Sequence, residues 1–165
     1  MNNKFLAEAL RLASMGVSVI PLIPGEKTPA IKSWEPFQER IATEKEITSW
    51  WSRMPKANIA IVTGPVSGLC VVDHDKYKPD YDEETALKYF PDDIDTPMVS
   101  TPRGGVHQYF SWPEDFTPTI KAGILPGIDF RGKGGYIVAP PSVNGTGRAY
   151  EWITPLVKHA LMRLP

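Results

Sequence analysis

The sequence has little cysteine, almost no net charge and no long apolar run, and each shortage excludes a class of protein. Cys70 is the one cysteine in 165 residues. A single thiol builds neither an intrachain disulfide framework nor a cysteine-based zinc site. It lies inside an apolar run, which suits a reducing compartment, so a cytoplasmic location is expected. Lys and Arg number 18 against 19 Asp and Glu, a net charge of −1, so the chain is not a uniformly basic nucleic-acid coat. No apolar stretch approaches the ~20 residues of a membrane-spanning helix. Residues 3–13 are amphipathic and carry Glu8 and Arg11, unlike a secretory leader. No membrane partner is expected.

What is present reads as one globular domain. Hydrophobic residues make up 42% and charged residues 22%, enough for a sizeable core at this length. The 17 prolines and 13 glycines are spread along the chain as punctuation rather than gathered into a linker. Charge is uneven. From Lys121 onward there are six basic residues (Lys121, Arg131, Lys133, Arg148, Lys158, Arg163) against two acidic ones, Asp129 and Glu151. A basic patch for a phosphate-bearing partner is therefore compatible with a neutral total.

Apolar periodicity predicts a helix over residues 3–15 closed by Gly16, and a second one opened by the capping box Thr43-Glu44-Lys45-Glu46 and carrying Ile47, Trp50 and Trp51. The adjacent tryptophans read first as core anchors. A short helix is expected over 82–90. Strands are expected over 17–23, 58–63, 68–75, 98–101, 106–112, 127–131, 136–139 and 148–153, mostly joined by tight Gly/Pro turns. Residues 155–164 read as helical. The fold class is α+β.

The chemistry gathers around Gly68-Leu69-Cys70-Val71-Val72-Asp73-His74-Asp75. An apolar run bounded by turns reads as a buried strand, and strand alternation puts Asp73 and Asp75 on one face and His74 on the other. Two adjacent carboxylates repel unless a cation joins them, and hard divalent ions take such oxygen donors. The same pattern also serves as a solvated acidic strand end. Three further features bear on the choice. His107 follows the Pro102-Arg103-Gly104-Gly105 turn, whose glycines let backbone N–H groups approach an anion and whose Arg103 supplies charge. Asp129 stands on a later strand beside Arg131 and Lys133. Lys27 is held on the stiff Pro24-Gly25-Glu26-Lys27-Thr28-Pro29 loop. Three carboxylates with basic groups nearby suit phosphoryl or nucleotidyl transfer, in which metal-held carboxylates activate a 3′ hydroxyl and cations neutralise a triphosphate.

In that order and spacing the chain resembles the bifunctional primase–polymerase N-terminal domain of the archaeo-eukaryotic primase superfamily, found in plasmid, phage and prophage replication proteins. The stretches that carry the resemblance are Val19-Ile20-Pro21-Leu22 with Lys27-Thr28-Pro29, Trp50-Trp51 with Asn58–Val62 and Thr63-Gly64, Val71-Val72-Asp73-His74-Asp75, the segment 100–110, and the segment 127–142. The superfamily's D-x-D, small-residue–histidine and hydrophobic–Asp motifs fall on Asp73/Asp75, Gly105-Val106-His107 and Ile128-Asp129. The resemblance implies a primase–polymerase catalytic core with an RRM-like mixed or antiparallel sheet and flanking helices over 1–154, with 155–165 as a helix beginning a further region. It implies that Asp73, Asp75 and Asp129 hold two Mg²⁺ or Mn²⁺ ions, that His107 contacts the incoming triphosphate, and that Arg103, Arg131, Lys133 and Lys27 are candidates for phosphate contacts. Its partners are a DNA template and primer, nucleoside triphosphates, and a helicase domain or subunit. His74 replaces a commonly aliphatic residue and should pack away from the aspartates, and no zinc stem is expected. Rival readings are a D-x-D glycosyltransferase, a non-catalytic nucleic-acid or nucleotide-binding replication module, and a metal-dependent nuclease.

Overall fold

The computed structural model describes residues 2–165. Two antiparallel sheets and three α-helices stack in layers. Helix α1 (Lys4–Ser14) opens with Asn3, whose side chain accepts from the Phe5 and Leu6 N–H groups. Helix α2 (Glu44–Arg53) has the expected capping box: Thr43 Oγ1 accepts from Glu46 N (3.2 Å) and Glu46 Oε2 accepts from Thr43 N (2.8 Å). Replacing Thr43 by Ala removes one half of this reciprocal pair. It should lower stability by about 1 kcal/mol in urea denaturation, with little change in m-value.

Both helices pack on a three-stranded sheet of order β1 (Val19–Leu22), β2 (Asn58–Val62), β8 (Tyr136–Ala139). Every residue of β1 and β2 is buried, because α1 and α2 cover one face of this sheet and the larger sheet covers the other. Trp51 is an anchor of this core, its Nε1 donating to Ala57 O at 3.0 Å.

The larger sheet runs β6 (Lys121–Leu125), β7 (Ile128–Arg131), β3 (Leu69–His74), β5 (Val106–Ser111), β4 (Met98–Ser100), β9 (Glu151–Thr154). Alternation along its central strands divides the core. Leu69, Val71 and Tyr109 face the small sheet, whereas Cys70, Val72, Phe110, Ile128 and Phe130 face α3 (Glu83–Tyr89). The strand-rich α+β expectation holds, with the strands divided between two sheets. Strand β6 carries no strong period-2 pattern and was not expected. It is held as an edge hairpin on β7.

Residues 155–165, expected as a helix, are instead irregular with a single 3₁₀ turn at Lys158–Ala160. The apolar residues that suggest a stripe serve different cores: Leu156 and Leu161 join the one beneath the small sheet, Leu164 the one beneath α3. Leu156 is fully buried, and Ser111 N donates to Met162 O at 2.8 Å, so the segment is packed back on the domain. The strand expected over 148–153 begins later, because Asn144 Oδ1 accepts from Thr146 N and Arg148 N and draws Arg148 into the preceding turn.

Candidate active site

Strand β3 lies at the centre of the large sheet, and its register brings the sequence motifs into one row. Asp73 pairs with His107 on β5 and with Asp129 on β7. Residues directly opposite on antiparallel strands share a face and stand ~5 Å apart. Motifs separated by more than thirty and more than fifty residues thus become lateral neighbours. Asp75 lies two residues past Asp73, where the strand gives way to a turn whose Asp75 N donates to Gly127 O at 2.8 Å. Arg131, two residues past Asp129, shares its face, with Arg131 Nη2 3.9 Å from Asp129 Oδ2.

His74 points to the other face, as the alternation requires. It is buried against Phe90, and its Nε2 is 2.8 Å from Gln108 Oε1. Burial holds its pKa below the usual imidazole range.

The row of motifs opens on a cleft between the sheets. One lobe, about 240 Å³, is lined by Lys27, Asp73, His107, Arg131, Tyr136 and Tyr150 among others. A second, about 150 Å³, adds Asp75, Tyr77, Thr101 and Arg103. They share Lys27, Asp73, His107 and Tyr150, and together reach the ~300 Å³ lower end of small-molecule sites. Lys27 arrives here because its loop is tied down: Tyr136 Oη donates to Lys27 O (2.8 Å) and Asn58 Nδ2 donates to Glu26 O (3.0 Å). The Arg103 guanidinium carbon lies over the Tyr77 ring, 3.8 Å from its centroid. Of the expected residues, Asp129 and Lys133 are not among those lining either lobe: Asp129 lines a neighbouring surface depression with Lys78, Gly123 and Gly127, and Lys133 is exposed, its backbone N–H donating to Pro118 O at 2.9 Å.

The electrostatics of the row are unbalanced toward negative charge. Burial, followed by the neighbouring Asp75 charge, pushes the Asp73 carboxyl up to about 6, against the pull of Arg131 and Lys27. Burial drives His107 the other way, down to about 3, with Lys27 adding to the effect. The 3.5 Å approach of His107 Nε2 to Asp73 Oδ1 is therefore a contact with a neutral imidazole rather than an ion pair. His107 Nδ1 and Arg131 Nε are buried without a hydrogen-bond partner in the protein. Arg131 Nε is an unused donor on a side chain that lines the cleft, which suits a polar, anionic ligand there.

Asp73, Asp75 and Asp129 supply the oxygen donors that a hard divalent ion takes. They fit such an ion in kind and in shared face. They do not stand as a closed cage: among the described residues no three His, Cys, Asp or Glu side chains converge on one point. Asp75 Oδ2 is 2.6 Å from Lys78 Nζ, and Asp129 Oδ1 accepts from Gly123 N at 2.7 Å.

Sequence reasoning missed several residues that line this cleft. Tyr150 is packed beside His107, with ring centroids 5.9 Å apart. It reads in sequence as an ordinary strand aromatic. Tyr77 lines the second lobe, and its place two residues after Asp75 is the one local signal that could have marked it. Ile120 lines the cleft from the segment before β6 and has no sequence signal.

Comparison with known families gives one result that covers nearly the whole chain: the profile of the family described as bifunctional DNA primase/polymerase, N-terminal, matches residues 9–165. Among curated proteins no match is found.

Proposed function

Because the chain belongs to the bifunctional DNA primase/polymerase N-terminal family, we propose that it adds nucleotides to a primer 3′ end, directed by a DNA template, in the cleft centred on Asp73. The family membership supports a primase/polymerase-type function in replication. The observation that carries the finer reading is the lateral row Asp129–Asp73–His107, in which Asp73 and His107 line one cleft with Asp75, Lys27 and Arg131 and Asp129 stands at its side on β7.

In this reading Asp73, Asp75 and Asp129 hold two divalent ions. When bound, such ions lower the pKa of a primer 3′ hydroxyl and neutralise charge on the leaving pyrophosphate. Lys27 and Arg131 face the same space and counter the remaining phosphate charge. Arg131 lines the cleft and its Nε donor is unused in the protein, a guanidinium suited to a phosphate oxygen. His107 stays neutral through burial, so it contributes hydrogen bonding rather than charge. Its ring is packed beside Tyr150, which limits its rotation. A plasmid, phage or prophage replication protein is the setting we propose for this activity.

The test is extension of a labelled primer on a DNA template with Mg²⁺ or Mn²⁺ and either deoxy- or ribonucleotides. Template- and metal-dependent extension is expected. Folded protein that extends nothing with either metal would sink the polymerase reading and favour a binding module. Strand cleavage without added nucleotides would favour a nuclease, and hydrolysis of a nucleotide sugar a glycosyltransferase.

A further inference from the structure

The acidic row has a cation of its own. Lys78 Nζ lies 2.6 Å from Asp75 Oδ2, the shortest ion pair among the described residues. Its place is set by the backbone. Asp75 N is anchored on Gly127 O, and Lys78 N donates to Asp75 O at 2.9 Å, closing a turn that returns the lysine to the aspartate. Lys78 also lines a surface depression with Gly123, Gly127 and Asp129, so the lysine paired with Asp75 has a second of the three carboxylates as a neighbour. Asp75 chiefly, and Asp129 as well, hold that ammonium in its charged form. The Lys78 side chain is 38% exposed against 15% for Asp75, so it can swing into water without opening the core.

We propose that Lys78 is the resident counter-ion of Asp75, a cation that a divalent ion displaces from that carboxylate on binding. The proposal rests on the reading of Asp73, Asp75 and Asp129 as metal ligands. Without a positive charge the aspartates repel each other, and Lys78 relieves that repulsion in the metal-free protein. The same contact occupies an Asp75 oxygen that a metal needs. Divalent binding is then an exchange of cations, weakened by the ion pair it must break. Lys78 touches neither substrate nor reacting atoms in this account; it is a positioning residue that sets how readily the carboxylates accept metal.

The experiment is titration of the whole chain with Mn²⁺, following the electron paramagnetic resonance signal of the free aquo ion, for wild type, Lys78→Met, Lys78→Arg and Asp75→Asn. Lys78→Met should bind Mn²⁺ about fivefold more tightly than wild type, or better, the scale of an ion pair no longer broken. Lys78→Arg keeps the charge and should stay near wild type, and Asp75→Asn should bind more weakly than either. Melting curves supply an independent readout: the rise in melting temperature on adding Mn²⁺ should be larger for Lys78→Met than for wild type. Wild type that binds Mn²⁺ through Asp75, with Lys78→Met binding no more tightly, would overturn the Lys78 proposal and leave the metal reading standing. Absence of Mn²⁺ binding in every variant would overturn both.

Discussion

Replacing Asp73 by Asn is expected to abolish nucleotide addition and, in metal-free buffer, to make the protein more stable at pH 8. The two effects have one cause. Asp73 is central to the row, with Asp129 and His107 as its lateral partners. It is also mostly withdrawn from water and close to Asp75, which pushes its carboxyl from 3.8 in the unfolded chain to about 6. A carboxyl whose folded pKa exceeds its unfolded one favours the folded state when protonated. That contribution is complete below pH 3.8 and is lost as pH rises through 6. Above pH 7 the ionised group is a burden on the order of 3 kcal/mol by linkage, opposed within the site by Lys27 and Arg131 and increased by Asp75 and Asp129. Asn keeps the shape and removes the charge. Thermal melts in chelator should show a melting temperature several degrees higher for the variant at pH 8 and little difference at pH 4. Extension should fall by roughly 10³-fold or more, as for loss of a group whose charge the transition state uses. Extension at wild-type rates would remove Asp73 from the chemistry. Equal melting temperatures at pH 8 would mean that its charge is already balanced by the protein.

That expectation depends on a feature the sequence carries only in part. Alternation along an apolar run was enough to put Asp73 and Asp75 on one face and to turn His74 away, because the period of a strand is fixed by its backbone. The same alternation puts His107 with Tyr109 and opposes them to Val106, Gln108 and Phe110, and the two faces of β5 divide in that way. The order of the strands in the sheet is another matter. Nothing local says that β3 lies between β5 and β7, or that the small sheet closes the cleft from above; these follow from which apolar faces need covering across the whole chain. Family motifs supplied the association of Asp73, His107 and Asp129 that periodicity could not. They were least informative for residues brought by loops. Lys27 reaches the cleft through hydrogen bonds from Tyr136 and Asn58, both distant in sequence. Lys133, a basic residue in a glycine-rich turn like Arg103's, does not line the cleft although spacing made it an equal candidate. The C-terminal segment shows the opposite failure. Its apolar spacing suggested a helix, and tertiary contacts in two different cores override that pattern.

Gly105→Ala should cost both stability and activity, and the reason explains why a small residue stands two positions before His107. A Cβ at Gly105 would lie 2.5 Å from His74 O and 2.9 Å from Thr101 Oγ1. Thr101 Oγ1 is already committed, accepting from Gly105 N at 2.9 Å, and Thr101 N donates to Gly105 O at 3.0 Å, so the turn cannot slide away without breaking its own bonds. The other obstacle is backbone. His74 O belongs to the peptide unit that joins His74 to Asp75, one bond path from both metal-ligand candidates. Overpacking against such a neighbour costs ~1–3 kcal/mol, and relief requires that the end of β3 move. A shift of that peptide displaces Asp75 relative to Asp73, and misplacement of a reacting group by ~1 Å costs about 10²-fold in rate. Gly104→Ala is the control. No atom lies within 4 Å of its Cβ, yet its φ of +85° strains any residue with a side chain, by ~1–2 kcal/mol. Both variants should therefore melt earlier than wild type in chelator, while only Gly105→Ala should lose extension per folded molecule, by about 10–100-fold. Equal loss in the two variants would assign the effect to the turn's stability. Full activity in Gly105→Ala would show that the end of β3 tolerates the shift, and that the small residue before His107 serves packing alone.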